Sequence, residues 1–275
     1  MQRGILGRAA ATTLPIAVLF IGPASSGLAQ VGGGTEPVPT RVMVRVIGHD
    51  SKVIGSGVGG VLVRVVDSRT GDLLAEGKQE GGTGDTDRIM SRQPRGTGVF
   101  DTGSTAGFLA ELRLSEPTLV NISALGPLGY PQAIHSATKQ LLLVPGRHIE
   151  GDGIVLELHG FIVEILSPEP LTPVGSAVQV TARVRMMCGC PIEPGGLWDA
   201  DGKEFVARLW ADGRVVSEAS LEFAGETSMF EGSVGVPGVA QGADLELEVV
   251  VSEAARQNFG RHAIPLGLVE GEGSR

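Results

Sequence analysis

Both cysteines of this 275-residue chain lie in one six-residue stretch, Met186-Met187-Cys188-Gly189-Cys190-Pro191, together with two of its six methionines. Sulfur concentrated in this way supports several chemistries. An even cysteine count in an oxidising compartment favours a disulfide between Cys188 and Cys190. An extended i, i+2 pair has Cα atoms about 6.5 to 7 Å apart, at or beyond the upper limit for a bridge, so the pairing requires Gly189 to kink. Two thiolates with the thioether of Met186 also form the soft donor set that selects Cu(I), and His262 is the imidazole that would complete it. A strained bridge would also be labile toward thiol–disulfide exchange. Against exchange, no C-x-x-C opens a helix, and no base or cation stands beside the pair to lower a thiol pKa. A bridge to another chain is the remaining outcome.

The element that must position these sulfurs is a strand. Val178, Val180, Ala182, Val184 and Met186 share one face, with Gln179, Thr181, Arg183 and Arg185 on the other. Period-two alternation of this kind marks a half-buried strand, and continued without a bulge it carries Cys188 and Cys190 inward behind Met186. Pro191 ends the pairing, and a bulge at Gly189 would turn Cys190 outward. The same alternation recurs through the chain: Val42/Val44/Val46 against Arg41/Met43/Arg45, Val61/Val63/Val65, Phe108 to Leu114, Val120/Ile122/Ala124, Ile154 to Leu158, Phe161 to Leu166, Phe205 to Trp210, Val215 to Phe223, and Leu245/Leu247/Val249/Val251 against Glu246/Glu248. Turn residues separate these runs, as at Asp67-Ser68-Arg69-Thr70-Gly71-Asp72 and Ala211-Asp212-Gly213. Only residues 131–143 suggest a short helix. The predicted class is all-β.

Other candidate motifs are weaker. Gly55-Ser56-Gly57-Val58-Gly59-Gly60 fits G-x-G-x-x-G literally but opens no helix to hold a pyrophosphate, and reads as a flexible loop. Asp85-x-Asp87 and Asp199-Ala200-Asp201-Gly202 have the short carboxylate spacing that calcium favours, yet neither continues into a full binding loop. Asn121-Ile122-Ser123 is a formal glycosylation sequon inside a predicted strand. The histidines at 49, 135, 148, 159 and 262 share no ligand spacing along the chain, and Trp198 and Trp210 read as core plugs. No serine-hydrolase elbow, zinc-protease helix or nucleotide-binding loop is present, so the chain reads as non-enzymatic.

Arg3 and Arg8, the apolar run from Leu14 to Ile21 and the small residues ending at Ala29 follow the order of a secretory signal, predicting cleavage after residue 29. The run is too short to span a bilayer, and no later stretch reaches the roughly 18 to 20 apolar residues required, so no membrane span is expected. Beyond the two arginines of residues 1–29, the chain carries 20 basic against 31 acidic side chains, a net −11. That charge repels phosphate backbones and argues against nucleic acid as a partner. A 42% apolar content fills cores, while 4% aromatic content argues against a carbohydrate-stacking platform. The predicted organisation is a signal peptide at 1–29, a flexible lead-in at 30–40, β-sandwich domains at 41–160 and 161–268, and a tail at 269–275.

Gly60-Val61-Leu62-Val63-Arg64-Val65-Val66-Asp67, then Thr70-Gly71 and Leu73-Leu74-Ala75-Glu76-Gly77, resembles the opening of a carboxypeptidase-regulatory or prealbumin-like β-sandwich. It departs from that family in the Gly/Thr/Asp/Arg/Gln insertion from Glu80 to Thr102. The resemblance implies a seven-stranded binding or spacer module without catalytic residues. The last hundred residues, with a first strand running into Ser167-Pro168 and a final strand followed by Arg256-Gln257-Asn258-Phe259-Gly260, are similar to bacterial immunoglobulin-like repeats. Gln257 stands where that family's turn has a glycine. The family resemblance implies a sandwich that spaces, attaches or binds.

These readings converge on an exported, non-enzymatic binding or accessory module, periplasmic or secreted, with a protein or cell-surface partner and no cofactor. Two alternatives use the sulfur stretch: a periplasmic copper-binding protein with ligands Cys188, Cys190, Met186 and His262, and a thiol–disulfide factor using the two cysteines.

Overall fold

Nearly every period-two run becomes a strand in the computed structural model, which describes residues 36–267. The predicted signal peptide and the 269–275 tail lie outside the described residues, as does most of the lead-in. Seven strands come first: β1 (Val38–Gly48), β2 (Val61–Asp67), β3 (Leu73–Gln79), β4 (Phe108–Leu114), β5 (Thr118–Gly126), β6 (His135–Leu143) and β7 (Ile149–Leu158). They form a three-stranded sheet ordered β4-β1-β7 and a four-stranded sheet ordered β3-β2-β5-β6. β1 runs antiparallel to β4 and parallel to β7.

Eight strands follow: β8 (Phe161–Ser167), β9 (Ala177–Met186), β10 (Glu204–Ala211), β11 (Arg214–Ser220), β12 (Glu222–Phe223), β13 (Met229–Gly235), β14 (Leu245–Glu253) and β15 (Asn258–Pro265). Their sheets are ordered β12-β13-β9-β8 and β11-β10-β14-β15. Assigning β8 to β15 the letters A, B, C, C′, D, E, F and G gives A-B-E-D facing C′-C-F-G, the strand distribution of an immunoglobulin-type sandwich.

Each pair of sheets encloses an apolar core built from the predicted faces. Val42, Val44, Val46, Val61, Val63, Val65, Val120 and Ile122 are fully buried in one; Ala182, Val184, Met186, Leu247, Val249 and Val251 are fully buried in the other. Alternation on strands of opposing sheets supplies both inner faces.

Three local expectations are corrected. Residues 131–143 form a single 3₁₀ turn, Pro131–Ala133, followed by β6, which pairs residue for residue with β5 from Leu143 opposite Thr118 to His135 opposite Gly126. The run from Val215 to Phe223 breaks at Leu221, whose side chain is buried and whose N–H donates to Phe205 O, so β11 and β12 join different sheets. Gly55 to Gly60 is an ordered loop: Ser56–Val58 makes a 3₁₀ turn, Ser56 N donates to Gly81 O, and Gly129 N donates to Val58 O. A Cβ on Gly59 would fall 2.1 Å from Gly129 N, so the glycine there is required by backbone approach as well as by its positive φ of 89°.

Candidate functional site

Strand β9 ends at Met186, and the sulfur stretch turns back on it. Gly189 N donates to Met186 O at 2.7 Å, and Met186 N donates to Cys190 O at 3.0 Å. Arg185 then bridges Pro191 as the chain returns. This is a three-residue hairpin loop, Met187-Cys188-Gly189, of the kind that needs a left-handed residue in its third position. Gly189 meets that need with φ +81°. The turn draws the cysteine Cα atoms to 5.4 Å and the Sγ atoms to 2.10 Å, within disulfide distance. The strand therefore bends at the single glycine, and both cysteines remain buried at the rim of the second core.

The same turn aims Met187 the other way. Its side chain is 1% exposed and belongs to the first core, whereas its neighbour Met186 belongs to the second. Ile162 does likewise from β8: Phe161 and Val163 face the second core and Ile162 the first. One residue of β8 and one of the hairpin loop that follows β9 thus cross into the opposite sandwich. Only His159 and Gly160 separate β7 from β8.

Polar contacts reinforce this joint. Trp198 Nε1 donates to Asp50 O at 2.8 Å, and Arg256 pairs with Asp50 Oδ2 at 2.5 Å. Gly160 N donates to Asn258 Oδ1 at 2.5 Å, and Gln132 Nε2 donates to Val163 O at 3.2 Å. Arg185 donates to Tyr130 Oη at 2.6 Å and to Glu164 Oε2 at 2.7 Å, with its guanidinium 5.0 Å from the Tyr130 ring centre. Burial works against the Arg185 charge, but these two partners outweigh it and raise its pKa.

Of the four residues proposed as soft-metal ligands, Met186, Cys188 and Cys190 lie together at the hairpin. His262 does not join them. On β15 it pairs with Val249, and its Nδ1 accepts from Ile165 N at 3.0 Å. Ile165 is four residues along β8 from Phe161, the partner of Met186, or about 13 Å of strand. Burial lowers the His262 pKa, partly opposed by Glu164.

The acidic pairs have local structural roles. Asp85 Oδ1 accepts from Arg88 N and caps the five-residue helix α1 (Thr86–Met90). Asp199 Oδ1 accepts from Gly195 N and Asp201 N. Asn121 Oδ1 accepts from Gln140 Nε2 on the neighbouring strand. Trp198 is buried in the second core, and Trp210 lies over Glu248, donating to its Oε2 at 3.1 Å.

Two clusters were missed by reasoning along the chain. Arg45 and Asp152 tie the insertion between β3 and β4 onto the sheet: Arg45 donates to Thr105 O, Ala106 O and Asp101 Oδ1, and Asp152 accepts from the N–H groups of Val99, Phe100 and Asp101. Burial alone would raise the Asp152 pKa, yet these backbone donors with Arg45 nearby lower it. The second cluster is His49, Glu157 and His159, brought together by the parallel register of β1 and β7. The only sequence signal was Glu157-x-His159, which places both side chains on one face of a strand.

No family model matches the sequence, and no curated protein matches it. Among solved structures, an engineered protein is 16% identical over 42% of this chain with a TM-score of 0.29, and the chain spans 22% of its length. The fibronectin(III)-like modules of Clostridium thermocellum CbhA are 12% identical, covering 86% of this chain and 97% of that one, with a TM-score of 0.28. The N-terminal four Ig domains of Dscam1 isoform 4.44 are 9% identical, covering 85% of this chain and 46% of that one, with a TM-score of 0.23. At such TM-scores the sandwich assignment rests on strand order and core alternation. Among the described residues no helix is long and apolar enough to cross a membrane.

Proposed function

We propose that this protein is an exported, non-enzymatic binding or accessory module in which a prealbumin-like sandwich (41–160) and an immunoglobulin-like sandwich (161–268) act as one rigid spacer. It acts in the periplasm or outside the cell, and its two outer surfaces meet a protein or cell-surface partner in a fixed relative orientation. The observation that carries this reading is the burial of Met187 in the first core from a hairpin of the second. A flexible tether between independent domains would leave such a side chain in water; burying it couples the two cores.

The prealbumin-like identity is supported by seven strands in sheets of three and four and by the β2–β3 strand-turn-strand unit. The immunoglobulin-like identity is supported by the A-B-E-D and C′-C-F-G strand order. Export is supported by the arginine, apolar and small-residue order of residues 1–29. In this proposal the cysteines are structural, bridged to each other and holding the hairpin that presents Met187; a bridged pair offers no thiolate to copper.

Two measurements test it. Fractionation of bacteria expressing the full chain, with N-terminal sequencing, should recover protein beginning at Gln30 outside the cytoplasm; uncut chain retained in the cytosol would refute export. Backbone ¹⁵N relaxation should give one rotational correlation time for residues 41–160 and 161–265. Two independent times would refute the rigid spacer.

A further inference from the structure

We infer a binding site for a borderline divalent transition ion of the zinc class at His49, Glu157 and His159, on the face of the first sandwich where β7 hands over to β8. The strands build it. β1 and β7 are parallel, with Ile47 opposite Glu157 and Gly48 opposite Leu158, and His49 N donates to Leu158 O at 2.8 Å. Continuing that register sets His49 beside His159, on the same face and one strand spacing apart. The imidazole rings accordingly stack, with centroids 3.9 Å apart and planes 15° from parallel. Glu157, two residues before His159, shares that face. One ligand atom from each of the three residues lies within 4.8 Å of the other two.

The hydrogen bonds of both rings also fix which nitrogen is available. His49 Nδ1 contacts Glu157 Oε1 at 2.8 Å, and His159 Nδ1 contacts Gln257 O at 3.1 Å. An ion would displace the proton that His49 Nδ1 and Glu157 share, whereas the Gln257 carbonyl only accepts, so neutral His159 carries its proton on Nδ1 and keeps the Nε2 lone pair. A metal-binding imidazole is ordinarily prepared in this way, one nitrogen held by a carboxylate or carbonyl and the other free for the ion. His49 Nδ1, a Glu157 oxygen and His159 Nε2 then make a set of two nitrogens and one carboxylate oxygen, with solvent in the fourth position.

That donor set suits zinc-class ions, which imidazole prefers, over calcium or magnesium, which take oxygen ligands. A tetrahedral ion with bonds of about 2.0 to 2.1 Å holds its ligand atoms about 3.4 Å apart. The ligand atoms, within 4.8 Å of one another, must close toward that spacing, and the stacked rings must turn so that both lone pairs meet at one point, which rotation of exposed Glu157 and His159 supplies. The site is separate from the sulfur hairpin: no cysteine takes part. Through His159 and the Gln257 carbonyl, the ion would brace the connector between the two sandwiches.

The test is zinc titration, by calorimetry and equilibrium dialysis, of the chain beginning at Gln30 and carrying no histidine tag. Expected is one saturable ion per chain with micromolar affinity, a melting temperature raised by zinc, and no effect of magnesium. His49→Ala and His159→Ala should each weaken binding by tenfold or more, while the Cys188→Ser/Cys190→Ser variant binds as tightly as the parent. No saturable uptake by the parent, or loss of less than tenfold in the His49→Ala/His159→Ala variant, overturns the site. Imidazole ¹⁵N shifts of the parent provide a reading that needs no variant: zinc should move the signals of His49 and His159 and leave His135, His148 and His262 in place. Movement of any other pair overturns the proposal.

Discussion

Gly189 packs so tightly on Val58 that a Cβ added to it would stand 2.7 Å from the valine's Cγ1. The contact joins the sulfur hairpin of the second sandwich to the glycine-rich loop of the first. It makes glycine obligatory at position 189 twice over, once for the left-handed turn and once for the approach. A left-handed conformation costs a non-glycine residue about 1–2 kcal/mol, and overpacking costs about 1–3 kcal/mol more. Gly189→Ala should therefore destabilise the protein by about 2–5 kcal/mol in urea unfolding. Gly175→Ala, where a Cβ meets nothing within 4 Å, should change stability by less than about 0.5 kcal/mol. Equal effects of the two variants would show that the loop contact carries no energy.

Met187→Ala removes the one hairpin side chain that fills the first core. A buried methionine truncated to alanine costs about 2–5 kcal/mol. Because the cavity opens at the joint, the loss should reach both sandwiches together. Scanning calorimetry should show one transition in the parent and two partly resolved transitions in the variant. A single transition, merely lowered in temperature, would mean that the remaining contacts at Ile162, Trp198 and Arg256 suffice to couple the cores.

Reduction of the Cys188–Cys190 pair should cost little. Chain-entropy accounting gives about 1.6 kcal/mol for a three-residue ring at 25 °C. The true figure should be smaller, because Met186 N and Gly189 N already close the turn by hydrogen bonds. Urea midpoints with and without a phosphine reductant, beside a thiol count in denaturant, measure this. A loss above about 3 kcal/mol would show that the bridge carries more of the joint than its ring size permits. Two thiols reacting without reductant would show that the cysteines are not paired.

Alternation along single strands was legible because burial follows parity wherever a strand has one face to the core. It identified the inward residues of β1, β2, β4, β5, β9 and β14. It failed where something else covers the outer face. Arg45 shares the water face with Arg41 and Met43 by parity, yet it is 3% exposed beneath the segment from Asp101 to Ala106. Glu248 is equally outward by parity and equally buried, under Trp210 and Arg261. Both partners are remote in sequence or lie on neighbouring strands, so no local pattern encodes them. The sulfur hairpin was half legible. Its glycine announced a bend and parity put Met187 on the outer face with Arg185, but only the packing of the first sandwich there, Val58 included, makes that face a buried one. His49 and His159, 110 positions apart, become neighbours only through a parallel pairing that strand patterns do not specify.

His262 provides a pH test of the second sandwich. Its Nδ1 accepts from Ile165 N, tying β15 to β8 at the open side between the two sheets, and burial lowers its pKa against the weaker pull of Glu164. The folded protein therefore holds the ring neutral at a pH where the unfolded chain, with an ordinary value near 6.5, binds a proton. Between the lowered folded value and about 6.5 the unfolded state binds more protons, so stability rises with pH across that window. The contribution is complete above the ordinary value and is lost as the pH falls toward the folded one. Urea midpoints at pH 7.5 and 5.5 should differ in the parent, lower at pH 5.5, and the difference should shrink in His262→Gln, which retains an acceptor for Ile165 N and does not titrate. An unchanged pH dependence in that variant would show that His262 is not the group responsible, since the remaining acids and histidines are common to both proteins.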